Sequence, residues 1–329
     1  LSKVRDHTDG RYKKGFRLLT LGWSDGNTFI PVAFNLLSSP NQKTRYSEAN
    51  PTIDKRTNGF KRRIAAMQNT NDAMIELLSR AKKYLIPAKY VLFDSWFSYP
   101  VVISRIRKMG LHVISMAKPM DRIYYRYNDK IMNLKKLYST IKKAKTFRKN
   151  DVIASVKVVM VHQTYGEIPV KLVFLHAENC NHEWVTLLTT DLSLSDEEIV
   201  RIYGKRWNIE VFFKMSKSYL SLAKEFQCQN YDSMVAHTTI VFMRYIYLAL
   251  EQRNQKDPKT MGELFHLICD DLEDISFLTA LGLILNALKI LLKDKLYLAE
   301  EKVDELMEQF ISHLPAFIKN RKLFFYCES

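Results

Sequence analysis

Apolar positions along the 329-residue chain change their spacing several times, and each change predicts an element. "FRLLTLGWSDGNTFIPVAF" (16–34) sets two apolar runs around Ser24-Asp25-Gly26-Asn27. Its Asp-Gly pair predicts a β-hairpin, with Asp25 as a turn residue rather than a catalyst. The next segment, 41–63, is polar and basic, carries Pro51 and Gly59, and reads as an exposed connection with the option of contacting phosphates. Helical spacing resumes over 71–85, with Asn71 as its cap. After Pro87 a short, wholly apolar strand, Tyr90 to Phe93, ends on Asp94. A helix over 99–110 closed by Gly110 and a strand over 111–117 complete a βαβ unit. Ligands gather at the carboxyl ends of such strands, and Asp94 stands there.

From 118 to 190 strand-like runs (122–127, 151–163, 168–177 and 184–191) alternate with Lys-rich stretches, with one helix over 133–145. This segment reads as a β-rich insertion rather than an independent domain. Ser195 and Glu198 then form a capping box that opens a helical stretch. Long apolar helices follow over 232–253 and beyond 258, and 278–292 suits a buried helix. The resulting division is 1–117, 118–191, 192–253 and 254–329. The fold class is α/β: a mixed sheet flanked by helices, interrupted by the β-rich insertion and followed by a helical tail.

Composition narrows the partners. Lys+Arg 50 against Asp+Glu 35 leaves a net charge of +15, which favours a polyanion such as nucleic acid. The widely spaced Cys180, Cys228, Cys269 and Cys327 predict a reduced cytoplasmic protein without disulfides. His176, Cys180 and His182 lack a fourth zinc ligand at convincing spacing. No stretch approaches the ~20 uncharged apolar residues of a membrane span, and no signal peptide is visible.

The chemistry concentrates in "IYGKRWNIEVFFKMSK" (202–217). On one continuous helix with Tyr203 at zero, Arg206, Glu210 and Lys217 fall at about 300°, 340° and 320°. Phenol, guanidinium, carboxylate and ammonium thus share a face. An (i, i+4) Arg206–Glu210 surface pair would explain part of this. However, Trp207, Ile209, Val211, Phe212 and Phe213 leave little solvent face for an ordinary surface helix. With Asp94 on a sheet and Glu210 on a crossing helix, the chain carries the two carboxylates that two-metal phosphoryl chemistry uses.

Tyr203, Arg206, Glu210 and Lys217 reproduce Y-x2-R-x3-E-x6-K, and with "VLFDSWF" around Asp94 the chain resembles the DDE insertion-sequence transposases of the insertion-sequence-4-like branch. The likeness covers roughly 1–253. It implies a ribonuclease-H-like core and makes Asp94 and Glu210 catalytic ligands of Mg²⁺, with Mn²⁺ as a substitute. It implies that Tyr203, Arg206 and Lys217 contact DNA phosphates; some members hold a flipped base against an aromatic ring from the insertion's last strand, for which Trp184 is the candidate, with core packing as its alternative role. Double-stranded DNA is the implied partner, in a dimer assembled on DNA, cytoplasmic and nucleoid-associated, with no membrane. The family's first acid lies on a strand just upstream of the hairpin, which this sequence does not contain. Asp6 and Asp9 precede the hairpin in polar, basic surroundings and are not expected to replace it. The expectation is therefore a truncated transposase that cuts DNA and joins strands when intact. The rival is a non-catalytic DNA-binding remnant.

Overall fold

The computed structural model describes residues 1–5, 10–144, 152–177, 184–224, 230–254, 260–296 and 300–313. Asp6, Asp9, Cys180, His182, Cys228 and Cys327 lie outside them. The chain divides into one unit over 1–250 and a second over 251–329.

The first unit opens with paired strands β1 (Ser2–Arg5) and β2 (Tyr12–Gly15). So the polar, basic segments flanking Asp6 and Asp9 form an antiparallel ladder; backbone pairing there needs no apolar face. Strands β3 (Arg17–Ser24) and β4 (Phe29–Leu37) make the expected hairpin. Asp25 does hold the turn, its Oδ1 accepting the backbone N–H groups of Asn27 (2.9 Å) and Thr28 (2.8 Å). The register shifts at Leu21/Gly22, where a Cβ on Gly22 would meet the Phe29 ring at 2.1 Å. Glycine at 22 lets that ring cross the hairpin.

Residues 41–63 are not wholly a connection. Helix α1 (Asn58–Ala66) begins inside them, capped by Thr57, whose side chain accepts from Phe60 N–H. The basic residues masked a short amphipathic helix, and Arg63 is paired rather than free for phosphate: it binds Asp232 at 2.8 Å through both guanidinium nitrogens. Helix α2 (Thr70–Lys83) is capped by Asn69 rather than Asn71, Asn69 accepting from the Asn71 N–H.

Strand β5 (Tyr90–Phe93), helix α3 (Pro100–Lys108) and strand β6 (His112–Met116) form the expected βαβ unit, with β5 and β6 parallel. Beyond it come β7 (Tyr124–Tyr127), β8 (Lys130–Asn133), α4 (Leu134–Ala144), β9 (Val152–His162), β10 (Gly166–His176) and β11 (Trp184–Thr189). They do not stand apart. Strand β11 pairs antiparallel with β6, giving one mixed seven-stranded sheet in the order β5-β6-β11-β10-β9-β7-β8.

Helices cover both faces at the β5 end of this sheet, which is why β5 is apolar at every position. On one face Val91 and Phe93 join Ile75 and Leu78 of α2, Ile103 of α3 and Leu137 of α4 in a buried cluster. On the other, Tyr90 and Leu92 pack with Ile114, Leu187 and Ile199. Ile199 belongs to α5 (Asp196–Gly204), which opens with the expected capping box of Ser195 and Glu198. A 3-10 turn (Lys205–Trp207) then leads into α6 (Asn208–Ser218).

Helix α7 (Tyr231–Asn254) is long and apolar enough, by length and composition, to cross a membrane, contrary to the expectation that no such stretch exists. It is instead a packing helix: Phe242 meets Phe34 of the hairpin at 5.0 Å between centroids, and Tyr245 and Phe242 meet Phe212 of α6 edge-on. The second unit contains α8 (Met261–Leu296) and α9 (Glu300–His313), joined by Lys289–Asp304 (2.7 Å) and Lys293–Glu300 (3.4 Å) ion pairs. Over 278–292, expected to be buried, Leu285 is buried while Leu283, Ile284, Ile290 and Leu291 are each more than half exposed.

Candidate active site

Asp94 is the residue at which β5 stops being a strand. Its backbone is still extended, so the alternation continues and its side chain falls on the face of Tyr90 and Leu92, the face that α5 covers. There it caps the 3-10 turn Ser95–Phe97, with Oδ1 accepting the Trp96 N–H at 2.8 Å. Below the turn, Ser98 and Ser115 share a buried hydroxyl contact of 3.1 Å that ties it to β6.

The other side of the site comes from α5 and α6. Tyr203 packs with the buried cluster on that sheet face. Arg206 lies in the 3-10 turn, its guanidinium carbon 5.7 Å from the Tyr203 ring centroid, and donates from Nη1 to Glu210 Oε1 at 3.0 Å. The single helix expected over 202–217 is therefore two helices with a tighter turn between them, yet Tyr203, Arg206 and Glu210 still form one row. The hairpin turn abuts this break. Gly26 holds a φ of +104°, so its backbone calls for glycine, and the mobile end of the Lys205 side chain lies against it.

Electrostatics links the two sides. Burial pushes the Tyr203 phenol up; the Asp94 carboxylate adds to that, while Arg206 opposes it. Arg206 is burdened by its own burial, but Tyr203, the Glu210 carboxylate and Asp94 together hold it protonated more firmly than usual. Asp94 thus lies within electrostatic reach of both. Lys217 is exposed in the last turn of α6. Trp184 is not brought to this group. It points to the opposite sheet face, stacked on Tyr138 of α4 at 4.5 Å between centroids and edge-on to Phe174.

The expectation of little solvent face on 207–213 needs correction. Trp207 is 63% and Val211 43% exposed, because α6 buries only the Phe212–Ser216 stripe. Residues the sequence reading passed over also stand here. Lys118 stands two residues beyond the end of β6, just past Ala117, and donates to the Tyr99 hydroxyl at 2.8 Å. The signal for it was the same one, a polar residue closing an apolar strand.

Asp94 and Glu210 supply hard oxygen donors. Among the described residues no group of three or more His, Cys, Asp or Glu is assembled for a metal. Two carboxylates suit Mg²⁺, which keeps several waters and completes its shell with substrate phosphates. The donor set is of the right chemistry for that ion.

A family model described as "Transposase DDE domain" matches residues 59–247, a span that holds Asp94, Tyr203, Arg206, Glu210 and Lys217. A search of curated proteins finds no match.

Proposed function

The chain belongs to the transposase DDE domain family, and we propose that it is the catalytic region of a transposase of the insertion-sequence-4-like branch, cutting DNA at transposon ends and joining the 3′ ends to target DNA. The observation that carries this is the meeting of Asp94, from a strand end, with the Tyr203–Arg206–Glu210 row on one sheet face. In this reading residues 118–191 are the insertion between the second and third acids.

Asp94 and Glu210 are the residues that would hold Mg²⁺, or Mn²⁺ in its place. When bound, the metal activates the attacking oxygen and stabilises the leaving one. The remaining work belongs to the chain's own groups. Arg206 offers a charged fork to phosphate, and its bond to Glu210 keeps that carboxylate aimed at the site until the substrate arrives. Tyr203, raised by burial, stays protonated at neutral pH, and its buried hydroxyl, which has no hydrogen-bond partner among the described residues, is left to meet the substrate. Lys217, farther along α6, meets the DNA backbone beyond the cleaved bond. Two copies assemble on DNA to bring two ends together.

The family's first acid enters on a further strand. Support comes from a cleft of about 810 Å³ lined by Thr20 to Ser24 of β3 and Tyr90 to Leu92 of β5. Among the described residues β3 pairs only with β4, and β5 only with β6. A strand placed there would join the two sheets and end beside Asp94. Without it, activity of residues 1–329 is expected to be absent or badly impaired.

The experiment measures DNA cleavage and strand transfer with Mg²⁺ or Mn²⁺, using this chain alone and extended upstream by the encoded residues. The extended protein is expected to cleave, and Asp94→Asn and Glu210→Gln in it are expected to abolish cleavage while DNA binding survives. Cleavage unaffected by both substitutions would remove these residues from the chemistry. DNA binding without cleavage by the extended protein would select the non-catalytic remnant.

A further inference from the structure

Trp96, Tyr99 and Lys118 form a second cluster at the carboxyl ends of β5 and β6, on the far side of Asp94 from the helix row. The chain has four tryptophans. Two are more than half exposed, Trp96 at 54% and Trp207 at 63%. Each stands within two residues of the site, Trp96 beside Asp94 and Trp207 beside Arg206. Trp23 and Trp184 are partly buried; Trp23 Nε1 is tied to the Pro87 carbonyl and Trp184 is stacked on Tyr138. Tyrosine rings are exposed elsewhere too, Tyr84 and Tyr12 among them, and single exposed rings need no explanation; what sets the tryptophans apart is that both exposed indoles flank the candidate site.

Trp96 is also fixed in place. Its backbone N–H is held by Asp94 Oδ1, and the Lys118 ammonium sits 5.6 Å from its ring centroid and 4.8 Å from that of Tyr99. The Tyr99 hydroxyl accepts from the same ammonium at 2.8 Å. A cation shared by two rings is positioned for an anion, while the exposed indole offers a flat apolar surface. Planar aromatic group and phosphate, side by side, are what one nucleotide presents once its base is unpaired.

We propose that Trp96 and Lys118, with Tyr99 orienting the ammonium, bind one unpaired nucleotide next to the phosphate handled by Asp94. The base stacks on the indole face away from Lys118, and Lys118 meets the adjoining phosphate. This rests on the transposase reading for its choice of DNA, but it concerns a different property: preference for an unpaired strand end over intact duplex.

The test uses the full chain and two fluorescent DNA probes, a blunt duplex and the same duplex with a short single-stranded tail. Wild type is expected to bind the tailed probe more tightly, with quenching of tryptophan fluorescence. Trp96→Ala is expected to weaken tailed binding by about 10–100-fold while sparing the blunt duplex, the range that stacking of one base covers. Trp96→Phe should recover most of the loss, and Lys118→Ala should lower the salt slope by about one. Circular dichroism of the variants controls for folding; the exposed ring is not part of a core. Equal binding of both probes by wild type would overturn the subsite, as would an equal loss on both in Trp96→Ala. Neither result touches the cleavage assay for Asp94 and Glu210, so the two readings fail separately.

Discussion

At Asp191 a carboxylate is 6% exposed at the end of β11. It accepts from Ser193 Oγ (2.5 Å) and N–H (3.2 Å) and from the Tyr90 hydroxyl (2.9 Å), with Lys89 Nζ at 3.3 Å. Burial alone pushes such a group up, but the hydrogen bonds from Ser193 and Tyr90, with Lys89 behind them, win and hold it well below the usual carboxylate range. A depressed folded-state value means that this stabilisation is fully present above the unfolded value, about 4, and is lost as pH falls from there toward the folded one. Asp191→Asn is expected to cost about 2 kcal/mol at neutral pH. Urea midpoints at a series of pH values check this, and the gap from wild type should narrow progressively as pH falls below about 4. The start of β5 and the end of β11 are locked by this group, so it sets where Asp94 emerges. Asp94 itself was legible in the sequence because a polar residue ends an apolar run. Asp191 was not, since Tyr90 lies 101 residues from it along the chain.

Among the elements, α5 controls the other half of the site. Its N-terminus is pinned by Lys171 of β10, which reaches Asp196 at 2.8 Å and donates to the Leu194 carbonyl at 2.7 Å; both charged side chains are nearly buried. Removing one partner leaves the other charge uncompensated, so Lys171→Ala is expected to cost about 3 kcal/mol, read as a lowered denaturation midpoint. The exposed Arg56–Asp54 pair contributes far less by the same measurement. The hairpin, the βαβ unit, the strands β7, β9, β10 and β11 and the capping box of α5 were legible from local spacing, whereas the short strand β8 was not. The 3-10 turn at 205–207 was not. The Lys205 side chain reaches the hairpin turn at Gly26 there, a meeting of segments far apart in sequence that local spacing does not report. Helix α1 escaped because basic residues on its exposed face hid its period, and what holds it is a distant acid, Asp232.

For the whole molecule, the charge of +15 and the site lie in one reading. DNA affinity is expected to fall steeply with salt, by about 0.9 log units per log unit for each phosphate neutralised. Arg206→Ala and Lys217→Ala should each flatten that slope by about one, measured by fluorescence anisotropy over a salt series; an unchanged slope would take the residue off the DNA. Among the described residues, β3 and β5 each leave one strand edge without a partner. An unpaired edge offers its N–H and C=O groups to any extended chain, including an identical neighbour. Residues 1–329, concentrated by themselves, should associate with one another as protein concentration rises, and a peptide that fills the cleft should return them to monomers.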